Sequence, residues 1–211
     1  MELLILFGVG FGTGLSGAMI PGPLFLYTVS EAFKDGQRAG LKIALGHLML
    51  ESVFAAVVVL GLHDWLASLG FRTAVAWIGG AGLVTMGGLI LAKVRHLSLT
   101  RQADVSFRWG SVAGGAFFSM ISPGFLLFWV TIGAPVFLEG TLAGLAGIAM
   151  VAAGHACADL GWHWFVAWSV ERGRPYCRDA TYRVIMALVA LCLVALGIGL
   201  PVKYVLSRRT G

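Results

Sequence analysis

Residues 3–30 run for 28 positions without a charged side chain, and residues 110–138 do so for 29. A helix crosses the hydrocarbon core of a bilayer in about 20 residues, so runs this long and this apolar restrict the chain to a membrane-spanning architecture. Mean hydropathy is +0.88. Only 12% of residues are charged, roughly half the share of an ordinary soluble domain. A membrane β-barrel would alternate apolar and polar residues along each strand, and no segment does so. The expectation is an all-α membrane protein. Met1-Glu2-Leu3 lacks the basic start of a secretory signal, so the first apolar run is expected to be a retained span.

Six spans fit the hydropathy, roughly 3–32, 40–62, 74–92, 110–137, 143–169 and 183–206. Connectors are short: Lys34-Asp35-Gly36-Gln37-Arg38 reads as a turn, His63-Asp64 as a small loop, and 93–109 is the longest polar stretch. Lys34, Arg38, Lys42, Lys93, Arg95, Arg101, Arg108, Arg172, Arg174, Arg178 and Arg183 all follow spans one, three or five, eleven of the fifteen basic residues. Arg72, Lys203, Arg208 and Arg209 fall on the opposite side. Basic loops stay cytoplasmic, which predicts both termini outside a multi-pass protein of the cell membrane. The net charge of +5 thus reports orientation, and no nucleic-acid partner is implied.

Inside these apolar spans one signature occurs twice. Gly46-His47-Leu48-Met49-Leu50-Glu51 is matched by Gly154-His155-Ala156-Cys157-Ala158-Asp159. An ionisable group at the centre of a bilayer helix costs about 2.5–3.5 kcal/mol on insertion scales, so it persists where it faces a pathway or a partner. Pro21-Gly22 likewise matches Pro123-Gly124, and Gly87…Lys93 matches Gly197…Lys203. The offsets are 102, 108 and 110 residues. Three spans per half force the second copy to enter from the opposite side, so the pattern predicts two inverted three-helix repeats, about 1–96 and 107–211, in one transporter domain.

Proline removes a backbone donor and clashes with the preceding turn, while glycine permits unusual dihedrals. Pro21, Gly22 and Pro23 in span one, and Ser122, Pro123 and Gly124 in span four, therefore predict broken first and fourth helices. Amides exposed at a half-helix N-terminus would suit a carboxylate or another anion. A plain proline kink in a tilted helix is the simpler alternative.

His47 and Glu51 lie one turn apart on a single helix face, and His155, Asp159 and His163 form a ladder of the same kind. Glu51 and Asp159 are the only carboxylates deep within predicted spans. Such groups can carry protons, neutralise a cationic substrate or ligate a metal. Alternatively, each acid bonds a histidine of its own or a neighbouring helix and ties the bundle together. Gly79-Gly80, Gly87-Gly88 and Gly114-Gly115 are read as close-packing sites between helices. Cys157 and Cys192 read as small fillers of buried helices. Trp65, Trp77 and Trp109 read as interfacial anchors, and Trp162, Trp164 and Trp168 as lipid-facing in preference to cavity-lining. No phosphate-binding loop occurs, so ATP-driven transport has no support; the expectation is a transporter, not an enzyme, with no cofactor.

At these residues the chain resembles the lysine-exporter (LysE/RhtB-type) family of amino-acid efflux permeases over nearly its full length. The resemblance rests on Pro21-Gly22-Pro23, Arg38-Ala39-Gly40-Leu41, Ala44-Leu45-Gly46, Ser122-Pro123-Gly124, Phe128-Trp129 and Gly154…Asp159-Leu160…Trp162. Ser122 stands where that family often has asparagine. The resemblance implies six spans and proton-driven export of amino acids or related small solutes. The His47/Glu51 pair is not a feature of the best-characterised members, so the assignment of substrate and proton coupling to His47, Glu51, His155 and Asp159 rests on the residues themselves. The alternative is a divalent-metal exporter using His47, Glu51, His155, Asp159 and His163 as imidazole and carboxylate ligands. The expected partners are a small-molecule substrate and the lipid bilayer, and a homo-oligomer is compatible with the sequence.

Overall fold

The computed structural model describes residues 1–20, 22–61, 69–96 and 109–207. These residues are 92% helical, with no strand among them, in agreement with the all-α expectation. The helices are α1 (Glu2–Ala18), α2 (Pro23–Asp35), α3 (Gln37–Val59), α4 (Leu69–Lys93), α5 (Gly110–Met120), α6 (Pro123–Phe128), α7 (Ala134–Leu142), α8 (Gly144–Gly173) and α9 (Asp179–Ser207). Pro21, the His63-Asp64 loop, Trp65, Arg101, Arg108, Arg208 and Arg209 lie outside the described residues.

Both predicted interruptions are present. The first apolar run is divided into α1 and α2, whose axes differ by 78°. Its second half starts on Pro23, behind Gly22 in extended backbone. The second run breaks after Met120 and restarts on Pro123, behind Ser122 with ψ of 119°. A proline fits the first helical position because its missing N–H would have had no partner there. The restarts therefore equate Gly22-Pro23 with Ser122-Pro123, two residues away from the match of Pro21-Gly22 to Pro123-Gly124. Between α6 and α7, Trp129–Gly133 forms a π-helical turn. Pro135 has no N–H to offer the carbonyl of Thr131, and the ladder widens just ahead of it.

Four helices among the described residues are long and apolar enough to cross a bilayer, or five if α1 and α2 count as one bent span. On α3, Gly40, Ile43, Ala44, His47, Glu51, Phe54 and Val58 are buried. Leu41, Leu45, Met49 and Val53, spaced four apart, are 41–65% exposed. A helix whose exposed stripe is wholly apolar faces lipid rather than water. Cys157 and Cys192 are also exposed on their helices, which corrects the expectation that they fill buried positions. Both are small enough to sit at the lipid surface without packing consequence.

Close approaches define how the helices run. Gly10 lies against Val151, Gly14 against His155, and Gly154 against Phe7 and Phe11, so α1 and α8 run parallel. Gly115 abuts Ile43, and Gly46 abuts Val112 and Ala116, so α5 and α3 also run parallel. Gly87 meets Ala190 and Val194, while Gly197 meets Gly80 and Val84, so α4 and α9 are antiparallel. Gly40 meets His163 and Ala167, and Gly36 meets Glu171, which makes α3 and α8 antiparallel. Small residues at these crossings let backbones touch, the source of helix association in lipid. Gly88, by contrast, faces open space.

Two apolar clusters flank the centre. One gathers Tyr27, Phe33, Ile43, Leu83, Phe118 and Met186. The other gathers Phe54, Phe125, Phe128, Trp129, Phe137 and Val151. Between them α3 and α8 cross.

Candidate functional site

Because α3 and α8 are antiparallel, their His/acid pairs meet head to tail. Glu51 faces His155, with His155 Nε2 to Glu51 Oε1 at 3.0 Å. His47 faces Asp159, with His47 Nε2 to Asp159 Oδ1 at 3.8 Å. The same-helix distances are similar, 3.4 Å for His47 Nε2 to Glu51 Oε1 and 3.3 Å for His155 Nε2 to Asp159 Oδ2. All four residues are buried. Four ionisable groups thus occupy one cluster instead of two separate pairs.

The hydrogen bonds around the cluster define which ring nitrogens carry protons. Ser119 Oγ donates its single proton to the Gly115 carbonyl at 2.6 Å. The 2.7 Å contact between Ser119 Oγ and His47 Nδ1 then requires Nδ1–H as donor. In a neutral His47 the lone pair is on Nε2, directed at Glu51 and Asp159. His163 Nδ1 lies 2.9 Å from the Asp159 carbonyl oxygen and donates to it, which leaves its Nε2 as the acceptor nitrogen. The His47 and His163 rings are 5.6 Å apart.

A cavity of about 50 Å³ opens onto this cluster. Its lining joins both helix breaks to the ionisable groups: Ile20, Gly22, Ser122 and Gly124 together with His47, Glu51, Ser119, His155, Asp159 and His163. A side-chain carbon on Gly22 would stand 3.5 Å from Ser122 Oγ, and one on Gly124 would stand 3.4 Å from Ile20, so the two breaks adjoin each other. Phe125 and Phe128 close the apolar wall, in edge contact with His47 and tilted contact with His155 respectively. Gly14 is required where it sits, because a methyl group there would press on the His155 ring.

Of the predicted residues, His47, Glu51, His155, Asp159, Gly22, Ser122, Gly124 and His163 line one cavity. Pro23 starts α2 beside it. Pro123 starts α6. Trp162, Trp164 and Trp168 are absent from the lining, and Trp164 instead donates to Gln37 Oε1 at 3.0 Å. Two participants escaped sequence reasoning. Ser119 has only one signal, its place one turn before a proline break. Phe125 reads as one apolar residue among many.

Comparison with protein families matches residues 15–203 to the LysE type translocator family. The chain belongs to that family, whose members are membrane transporters of small solutes and not enzymes. Comparison with curated proteins and with solved structures gave no match.

Proposed function

We propose that this protein is a proton-coupled secondary transporter that exports amino acids or related small solutes, with His47, Glu51, His155 and Asp159 as the coupling site. The observation that carries the reading is the convergence of two sequence-duplicated His/acid pairs into one buried cluster beside two helix breaks. Carboxylates and imidazoles in mutual contact can hold different numbers of protons at modest cost, which a coupling site needs.

The architecture proposed is two inverted three-helix repeats, about 1–96 and 107–211, giving six spans with both termini outside. Three features support it. The α4–α9 and α3–α8 pairs, each joining equivalent helices, are antiparallel. The α1–α8 and α5–α3 pairs, which a two-fold axis in the membrane plane would exchange, are both parallel. Helices restart on Pro23 and Pro123 in corresponding places. Transporters of this design bind substrate near mid-depth, between repeats and at broken helices. We assign substrate contact there to Gly22, Pro23, Ser122, Pro123 and Gly124 at the breaks, with Pro21 part of the same sequence motif.

At about 50 Å³ the cavity holds a few water molecules. A solute of amino-acid size enters only when the repeats rock apart, so this conformation corresponds to a closed stage of the cycle. Purified protein in liposomes, given a panel of amino acids and divalent metals with and without a pH gradient, tests the reading. Gradient-dependent movement of an amino acid supports it, and transport indifferent to the gradient contradicts it.

A further inference from the structure

We propose that the His/acid cluster is also a binding site for one divalent transition-metal ion of the zinc, cobalt and nickel class, held by His47 Nε2, Glu51 and Asp159. The inference rests on the cluster being the transporter's central site, and it adds a ligand to that site.

Three observations carry it. First, ligand atoms of His47, Glu51 and Asp159 all lie within 4.8 Å of one another, and all three residues are buried. Second, His47 Nε2 lies 3.4 Å from Glu51 Oε1 and 3.8 Å from Asp159 Oδ1. Ligands bound at 2.0–2.1 Å around a tetrahedral ion are separated by about 3.4 Å, so small side-chain adjustments convert the cluster into a coordination shell. Third, Glu51 Oε2 and Asp159 Oδ2, both buried, make no hydrogen bond of good geometry, and both residues line the cavity. A buried carboxylate oxygen left without a donor is costly unless something else occupies it.

The surroundings of His47 match what a metal-ligating imidazole requires. Its Nδ1–H is held by Ser119, itself held by the Gly115 carbonyl, which leaves Nε2 facing the two carboxylates. Such an outer hydrogen bond sets the tautomer and ring orientation of histidine ligands and raises their basicity. In the parallel α1–α8 contact, Gly14 stands against the His155 ring where Ser119 stands against His47, so the two histidines are inequivalent. Mixed imidazole and carboxylate donors suit borderline ions, whereas calcium and magnesium prefer oxygen alone.

The test uses the full chain purified in detergent, titrated with Co²⁺ and followed by visible absorption, with bound zinc quantified after equilibrium dialysis. The expected result is one ion per chain with the absorption of a tetrahedral site. Glu51→Gln and Asp159→Asn should each weaken binding at least about 10-fold, and Ser119→Ala about 10–100-fold while the stoichiometry stays at one. His96→Ala, which removes an exposed histidine remote from the cavity, should leave binding unchanged. Glu51→Asp, which keeps a ligand oxygen, guards against misreading a folding defect. Absence of saturable binding, or binding that survives the Glu51→Gln/Asp159→Asn double variant, overturns the proposal. Gradient-driven solute flux in a protein that binds no Co²⁺ refutes the metal site and leaves the transporter reading standing. Binding without gradient-driven flux supports the metal site and refutes the proton-coupled export reading.

Discussion

Gly46→Ala should damage both stability and transport, although it adds a single methyl group. A Cβ at position 46 would collide with the Val112 carbonyl oxygen and stand 2.8 Å from the Val112 carbonyl carbon and 3.0 Å from the Ala116 nitrogen. Ordinary contact begins at 3.4 Å, and every obstructing atom is backbone, so no side-chain rotation relieves it. Helix α5 must move away from α3 as a body. Overpacking of this kind costs about 1–3 kcal/mol. For a chain of this size that is about 2–12 °C of melting temperature, scaling from soluble proteins. The displacement occurs one residue from His47 and pulls Ser119 off Nδ1, so flux should fall as well. Gly88→Ala is the control, since nothing lies within 4 Å of its Cβ position, and it should be neutral or slightly stabilising. The assay is thermal unfolding of purified protein by loss of the monodisperse chromatographic peak, paired with liposome flux. Wild-type stability and flux in Gly46→Ala would refute the close α3–α5 crossing.

Gly154→Ala should resemble Gly46→Ala, because its Cβ would strike the Phe7 carbonyl in the equivalent crossing; unfolding curves of the two variants compare them directly. His47→Ala and His155→Ala should shift the pH optimum of transport or reduce its rate while sparing membrane insertion, as initial rates across a pH series would show. Ser119→Ala leaves the buried His47 Nδ1–H without its acceptor, at a cost of about 1–3 kcal/mol, measurable as a lower melting temperature that Ser119→Thr should partly restore. Glu171→Gln removes the carboxylate that accepts from the Gln37 backbone N–H at 2.8 Å at the start of α3, and should cost about 0.3–1 kcal/mol, read from the same unfolding assay.

The apolar length of each run made the helices legible, because a bilayer demands it. The breaks were legible because proline and glycine have few roles inside an uncharged stretch. The duplicated spacing singled out His47, Glu51, His155 and Asp159, and the antiparallel packing of α3 against α8 brings the two pairs into one cluster. What sequence could not supply was the partner atoms. Ser119 is an ordinary small residue until α5 is laid parallel to α3, and Gly14 gains meaning only against the His155 ring. His163, the third rung of the ladder, lies six residues from the predicted end of span five, yet α8 runs on to Gly173 and His163 lines the cavity. Glu31, at the end of the first predicted span, is buried and paired with Lys34 at 2.7 Å and with Ser111 at 3.2 Å. In both cases the helix continues past the point where hydropathy declines, and tertiary packing shelters the polar group.

The central claim, that one cluster built from both halves of the chain couples solute movement to protons, is tested most directly by accumulation against counterflow in liposomes. Wild-type protein should accumulate its solute under an imposed pH gradient and should also exchange labelled for unlabelled solute without one. Glu51→Gln and Asp159→Asn keep the side-chain shape and remove only the exchangeable charge. Both are predicted to lose gradient-driven accumulation while retaining counterflow. Accumulation at the wild-type rate in both variants would contradict the account and place coupling elsewhere in the molecule.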